Sequence, residues 1–232
     1  MNILAIETAT DVCGVALVHD GKALKECALY ERHVHSEKLI TLVDEVLQNS
    51  DGYDAIAVSI GPGSFTGLRI GLSVAKGLAY AGEKPLIAVP TMEALAFRAI
   101  LDNVAGDGDE VIAMIDARRN DVYGAAYQVN GQELTPLWDV QALSLPAVVQ
   151  RLQPGEKIVF IGDGTEKFRR FVKAENSTQW LFPPRMHQSC SAVAVGSVGA
   201  RKAQRGELAN VSSLEPMYVK DFVTLVHTQH PS

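Results

Sequence analysis

The sequence predicts an α/β protein made of two duplicated β-β-β-α-β-α halves. Three observations predict it. Two apolar runs, one ending at Glu7 and one at Asp116, each read as a buried strand closed by a carboxylate. Each is followed by two strand-like segments joined at a turn signal, Asp20-Gly21 in the first half and Asn130-Gly131 in the second. Both halves then alternate helical and buried-strand patterns, the order of a layered α/β unit used twice.

Residues 2–8 form a nearly continuous apolar run, 12–19 are rich in Val and Ala, and 22–30 alternate weakly, with Asp11 between the first two. A helix is predicted over 37–48, because Leu39, Leu42, Val43, Val46 and Leu47 recur at helical spacing. Ser36 suits its N-cap, and Glu37 complements the helix dipole. Residues 55–60 read as a buried strand leading into GPGSFTG at 61–67, from which a helix runs to about residue 81. A strand at 85–89 and a helix from Thr91 to about residue 101 complete the first half. The segment 103–109 carries two glycines and three acidic or amide residues, and divides the chain into 1–102 and 103–232. The second half repeats the order: strands at 110–116, 122–129 and 133–138, a helix at 145–152, a strand at 157–161, and helices at 165–173 and 191–205.

Composition narrows the function classes. A chain of 232 residues buries roughly 70% of its unfolded surface without a disulfide or metal staple. Lys plus Arg is 21 and Asp plus Glu is 27, a formal charge of −6, so any nucleic-acid footprint has to be a local basic patch. Cys13, Cys27 and Cys190 are odd in number and lack CxxC partners, which points to buried thiols in a reducing compartment. Met1 leads straight into Ile3-Leu4-Ala5-Ile6 with no basic segment before it, and the uncharged stretch 189–200 is too short for a bilayer and broken by Gly196 and Gly199. The expectation is a soluble, cytoplasmic protein with no membrane association.

The glycine-rich run at 61–67 sits where a strand hands over to a helix, so its backbone N–H groups suit an anion. It lacks the Gly-Lys-Ser/Thr ending of a P-loop and the spacing of a dinucleotide fingerprint. A tight turn that brings backbones close is the competing reading. In the following helix Gly67, Gly71, Ala75 and Ala79 form a stripe without bulk, beside a ridge of Ile70, Val74 and Leu78. Glycine inside a helix costs about 1 kcal/mol relative to alanine, so close packing has to offset it, against the sheet or against a second subunit. Of the histidines, His33 and His35 share a face only in an extended segment, and His227 and His230 lie in a polar tail. No His-Glu-x-x-His pattern and no Gly-x-Ser-x-Gly frame exists. Glu7 and Asp116, at strand ends, are where a phosphotransferase would hold magnesium, yet Ala117-Arg118-Arg119 puts two bulky cations in place of a phosphate nest.

ILAIETATDVCGVAL at 3–17, GPGSFTGLRIG at 61–71, DARRNDVY at 116–123 and EPMYVK at 215–220 together resemble the bacterial TsaB family, also called YeaZ. The match spans most of the first hundred residues and isolated stretches of the second half; Asp121 and Lys220 depart from the usual pattern. The resemblance implies the fold of the actin, sugar-kinase and heat-shock chaperone superfamily. It implies a non-catalytic dimerisation subunit of the system that installs threonylcarbamoyladenosine beside the anticodon of tRNA. The catalytic relative TsaD carries a metal-binding His-x-x-x-His where this sequence has Thr91 and Leu95. Implied partners are TsaD, the ATPase TsaE, a second copy when alone, and tRNA through the complex, with ATP and metal on the partner subunits and no cofactor here. The implied interface is Leu39, Leu42, Val43, Val46, Leu68, Gly71, Leu72 and Ala75. A vestigial nucleotide or anion cleft would comprise Glu7, Gly61, Gly63, Asp116 and Arg118. An autonomous ATPase or sugar-kinase-like phosphotransferase using Glu7 and Asp116 is the alternative. Metalloprotease activity comes third, weakened by the missing histidine pair.

Overall fold

The computed structural model describes residues 1–30, 35–153, 157–172, 179–184 and 188–219, with the side chain of His35 left aside. The histidines at 33, 187, 227 and 230, and Lys220, lie outside the described residues.

The first half runs β1 (Asn2–Glu7), β2 (Cys13–His19), β3 (Lys22–Leu29), α1 (His35–Leu47), β4 (Ala55–Gly61), α2 (Phe65–Ala81), β5 (Leu86–Pro90) and α3 (Thr91–Leu101). The second runs β6 (Glu110–Asp116), β7 (Asp121–Asn130), β8 (Glu133–Ser144), α4 (Leu145–Val149), β9 (Ile158–Ile161), α5 (Thr165–Val172), β10 (Trp180–Leu181) and α6 (Ala192–Gln204). The duplication is therefore real, and each unit carries one more strand and helix than the six-element repeat. The two-residue β10 is too short to show any periodicity in sequence. β8 extends past residue 138 because it pairs with β7 along its length, tolerating Pro136 on the sheet's edge.

The sheets have the orders β3-β2-β1-β4-β5 and β10-β9-β6-β7-β8, so β1 and β6 are both central. Each central strand pairs antiparallel with the next strand of its hairpin and parallel with the strand after the helix. A strand with neighbours on both sides and covered faces must be apolar throughout, which is why these two runs are so legible.

The last helix of each half crosses over. α3 packs on β6 to β9 as well as on β4, β5 and α6, and α6 packs on β1 to β5. Between the sheets lies one continuous core of Ile3, Ala5, Val18, Ala57, Leu95, Phe97, Val111, Ala113 and Val195. Gly199 permits the close seat of α6, because a Cβ there would stand 2.5 Å from the Ala57 methyl. After α6 the chain returns to the first half: Ala209 bridges Leu86 at the β5 edge, and Val211 and Leu214 pack into the α1–α2 core. No helix among the described residues is long and apolar enough to cross a membrane.

Candidate functional site

Glu7 ends β1 fully buried and turns back on its own loop. Its Oε1 accepts the N–H groups of Ala9 and Thr10, both at 3.0 Å, and the Thr10 hydroxyl at 3.1 Å. Oε2 is buried without a well-formed hydrogen bond. Burial pushes the carboxyl above its ordinary value, opposed by hydrogen bonding from Ser59, Thr10 and Cys190. Cys190, buried beside it, is pushed well above the usual thiol range by desolvation and the Glu7 charge. Cys13 is raised to about 11 for the same reasons.

The turn after β4 faces that loop. The N–H of Gly61 donates to Thr91 Oγ1 at 3.1 Å, and that of Ser64 to Ala9 O at 2.7 Å. Ser64 caps α2 by accepting the Gly67 N–H. A Cβ at Gly63 or Gly67 would lie 2.1 Å from the carbonyl oxygen of Ala9 or Thr8, and one at Gly71 the same distance from Thr8 Oγ1. The stripe without bulk is thus pressed onto residues 8 and 9 of its own chain, and the loop's donors at Gly61, Ser64 and Gly67 are already used.

The eight expected interface residues lie on inward faces. Leu39, Leu42, Val43, Val46, Leu68, Gly71, Leu72 and Ala75 are all buried in the monomer. The sheet claims them because each helix has one apolar stripe and β1, β2 and β4 must be covered. The outward face of the pair carries Ile40, 51% exposed, and Tyr80, 85% exposed, with Phe65 and Arg69. Arg69 stacks 3.9 Å from the Phe65 ring centroid and donates to Tyr218 Oη at 3.1 Å. Lys76 donates to Ser212 O. Between α2 and residues 214–218 lies a groove of about 360 Å³, lined by Arg69, Ser73, Lys76 and Tyr218 among others.

Asp116 is no twin of Glu7. It is exposed, and it accepts Lys167 Nζ at 2.5 Å and the Arg118 N–H at 2.7 Å. Asp163 Oδ1 accepts the Asp116 N–H at 2.9 Å. The Asp163 carboxyl is pushed up by desolvation, and further by Asp116 and Asp11. Arg118 is exposed at a turn tip. Thr91 and Leu95 are both buried.

One feature escaped the sequence reading although its signal is plain. Ile161-Gly162-Asp163-Gly164-Thr165 repeats Ile60-Gly61-Pro62-Gly63-Ser64. Gly61 and Gly162 have φ values of 115° and 106° at the ends of equivalent strands. The Gly162 N–H is held by the buried Gln188 Oε1 at 2.7 Å, as that of Gly61 is by Thr91. Among the described residues no group of three or more His, Cys, Asp or Glu could hold a metal ion.

The chain is 39% identical over 158 residues to the Escherichia coli tRNA threonylcarbamoyladenosine biosynthesis protein TsaB, covering 66% of this chain and 67% of that one. The family model described as TsaD, tRNA N6-adenosine threonylcarbamoyltransferase, matches residues 30–227. The chain belongs to the TsaB family. The Bacillus subtilis TsaB is 28% identical over 95% of this chain and 94% of its own. YeaZ from Pseudomonas aeruginosa superposes with a TM-score of 0.77 at 29% identity, covering 94% of this chain and 99% of that one. A second Pseudomonas aeruginosa structure, described as similar to the peptidase YEAZ, gives 0.79 at 28%, with the same coverages. As a TsaB-family fold, the chain places Thr91 and Leu95 at the start of α3 between its two sheets.

Proposed function

We propose that this chain works in tRNA threonylcarbamoyladenosine biosynthesis as a non-catalytic subunit that pairs with TsaD. TsaE and tRNA join through that complex, ATP and metal reside on the partners, and alone the chain pairs with itself. One observation carries the non-catalytic part: three of the loop's donors are tied up inside the chain, with Gly61 N–H on Thr91 Oγ1, Ser64 N–H on Ala9 O and Gly67 N–H on Ser64 Oγ. An ATPase needs those donors for its nucleotide. Glu7, enclosed and bound by its own loop, is also badly placed to hold magnesium, which keeps several waters. The pairing surface is the outward face of α1 and α2 around Ile40, Phe65 and Tyr80, whose exposed apolar side chains suit a partner.

The test compares the purified full-length chain, TsaD with TsaE, and all three together in a tRNA modification assay supplied with an activated threonylcarbamoyl donor, with ATP hydrolysis followed in parallel. Product should form only when all three are present. Modification or nucleotide turnover by this chain alone would overturn the reading.

A further inference from the structure

The connection between β6 and β7 is closed by two backbone bonds of 3.2 Å, Ala117 N–H to Asp121 O and Asp121 N–H to Arg118 O. Within it Arg118 and Arg119 are successively left-handed, with φ of 67° and 50°. The other non-glycine residues of this kind, Asp20, Asn49, Glu83 and Asn103, do not adjoin one another, Asp20 is followed by the left-handed Gly21, and three of the four are the Asn or Asp types that tolerate it. Two arginines in a row gain nothing locally from that backbone, and such residues persist where their side chains serve a purpose.

Both arginines are exposed, and neither forms an ion pair among the described residues. Helix α5 is pinned beside them, since Lys167 donates both to Asp116 Oδ1 and to Asp121 O. Of the acids near the arginines, Asp116 is matched by Lys167 and Glu166 by Arg170, while Asp121 closes the same turn through its backbone. Asp163 directs Oδ1 to the Asp116 N–H, and Asp11 lies on the neighbouring β1–β2 loop. Two unmatched guanidinium groups on a rigid tip suit phosphate oxygens, which they can engage in bidentate fashion.

We propose that the Arg118–Arg119 tip grips the phosphate backbone of the tRNA when this chain is assembled with TsaD. This rests on the function proposed above and adds the surface that meets the RNA. The contact is local, as it has to be in a chain of charge −6.

The test uses the full chain in complex with TsaD and titrates an unmodified tRNA transcript over a salt series. Arg118→Asn with Arg119→Gly should fold with an unchanged or higher thermal midpoint and join TsaD normally. Its tRNA affinity should fall about tenfold, and the slope of log affinity on log salt should shrink by about one per arginine. Arg118→Lys with Arg119→Lys should keep the slope. Unchanged affinity and slope in the Asn-Gly variant would overturn the proposal. So would weaker TsaD association at unaltered tRNA affinity, which would assign the tip to an acidic protein surface. A wild-type chain that never joins TsaD would sink the preceding function instead, and the same titration on the chain alone would then decide the role of the tip.

Discussion

Gly71 and Thr8 meet so closely that a Cβ on Gly71 would stand 2.1 Å from Thr8 Oγ1. A small residue at this point of α2 therefore serves the monomer, by letting the helix lie against the loop that follows β1.

Gly71→Leu is accordingly a folding mutation. The sequence alone suggests a variant that folds but cannot associate; the contact with Thr8 reverses that expectation. Overpacking of this kind typically costs about 1–3 kcal/mol, and here the added branch also meets a buried hydroxyl, so a loss of about 3 kcal/mol is expected. Urea denaturation of the isolated chain measures it. A wild-type midpoint would mean that α2 can lift off the loop freely.

Association is probed on the other face. Ile40→Asp and Tyr80→Asp alter side chains that the monomer leaves exposed. Each should change the stability of the isolated chain by less than about 0.5 kcal/mol. Sedimentation with TsaD should show at least a tenfold weaker complex, since a charge would be buried in the contact. Normal complexes from both variants would place the partner elsewhere.

Glu7 makes stability depend on pH with a definite sign. Its folded pKa is raised above the ordinary 4.5, so the folded state holds the proton more tightly than the unfolded chain. That contribution is fully present below about pH 4.5 and is lost as pH rises through the folded value. Glu7→Gln keeps an Oε1 acceptor for Ala9 and Thr10 and has no proton to lose. Relative to wild type, the variant should gain stability as pH rises above about 4.5, levelling off once Glu7 ionises in the fold. Parallel stability curves would show that Glu7 ionises freely in the fold.

Installing a histidine pair at Thr91 and Leu95 should damage the fold before it creates a site. Leu95 is 1% exposed in the core between the sheets, and Thr91 Oγ1 holds the Gly61 N–H. Leu95→His alone should cost about 2–4 kcal/mol, because an imidazole there has to find new partners. The double variant should be less stable and still inactive in tRNA modification by itself, as thermal melts and the assay would establish. Activity would mean that the surrounding groups of a catalytic centre survive in this chain.

Much of the architecture was legible because burial on both faces leaves a dense signal. Residues 3–6 and 111–115 are apolar without a break, as strands flanked by neighbours on both sides must be. The α1 stripe at Leu39, Leu42, Val43 and Val46 was equally clear as a stripe. Its direction was not, because periodicity records that a face is buried and never what buries it. The repeat Ile161–Thr165 of Ile60–Ser64 was present in the letters and needed only alignment of the halves to be seen.

The sequence by itself determined the duplicated α/β order, the central strands and the family, since these depend on local patterning and on motifs contiguous in the chain. Only the tertiary structure decided that Gly63, Gly67 and Gly71 face Thr8 and Ala9, that Glu7 is closed in while Asp116 is open, and that α3 reaches the second sheet while α6 covers the first. Those outcomes depend on which surfaces meet across tens of residues, and close packing, rather than residue type, selects among them.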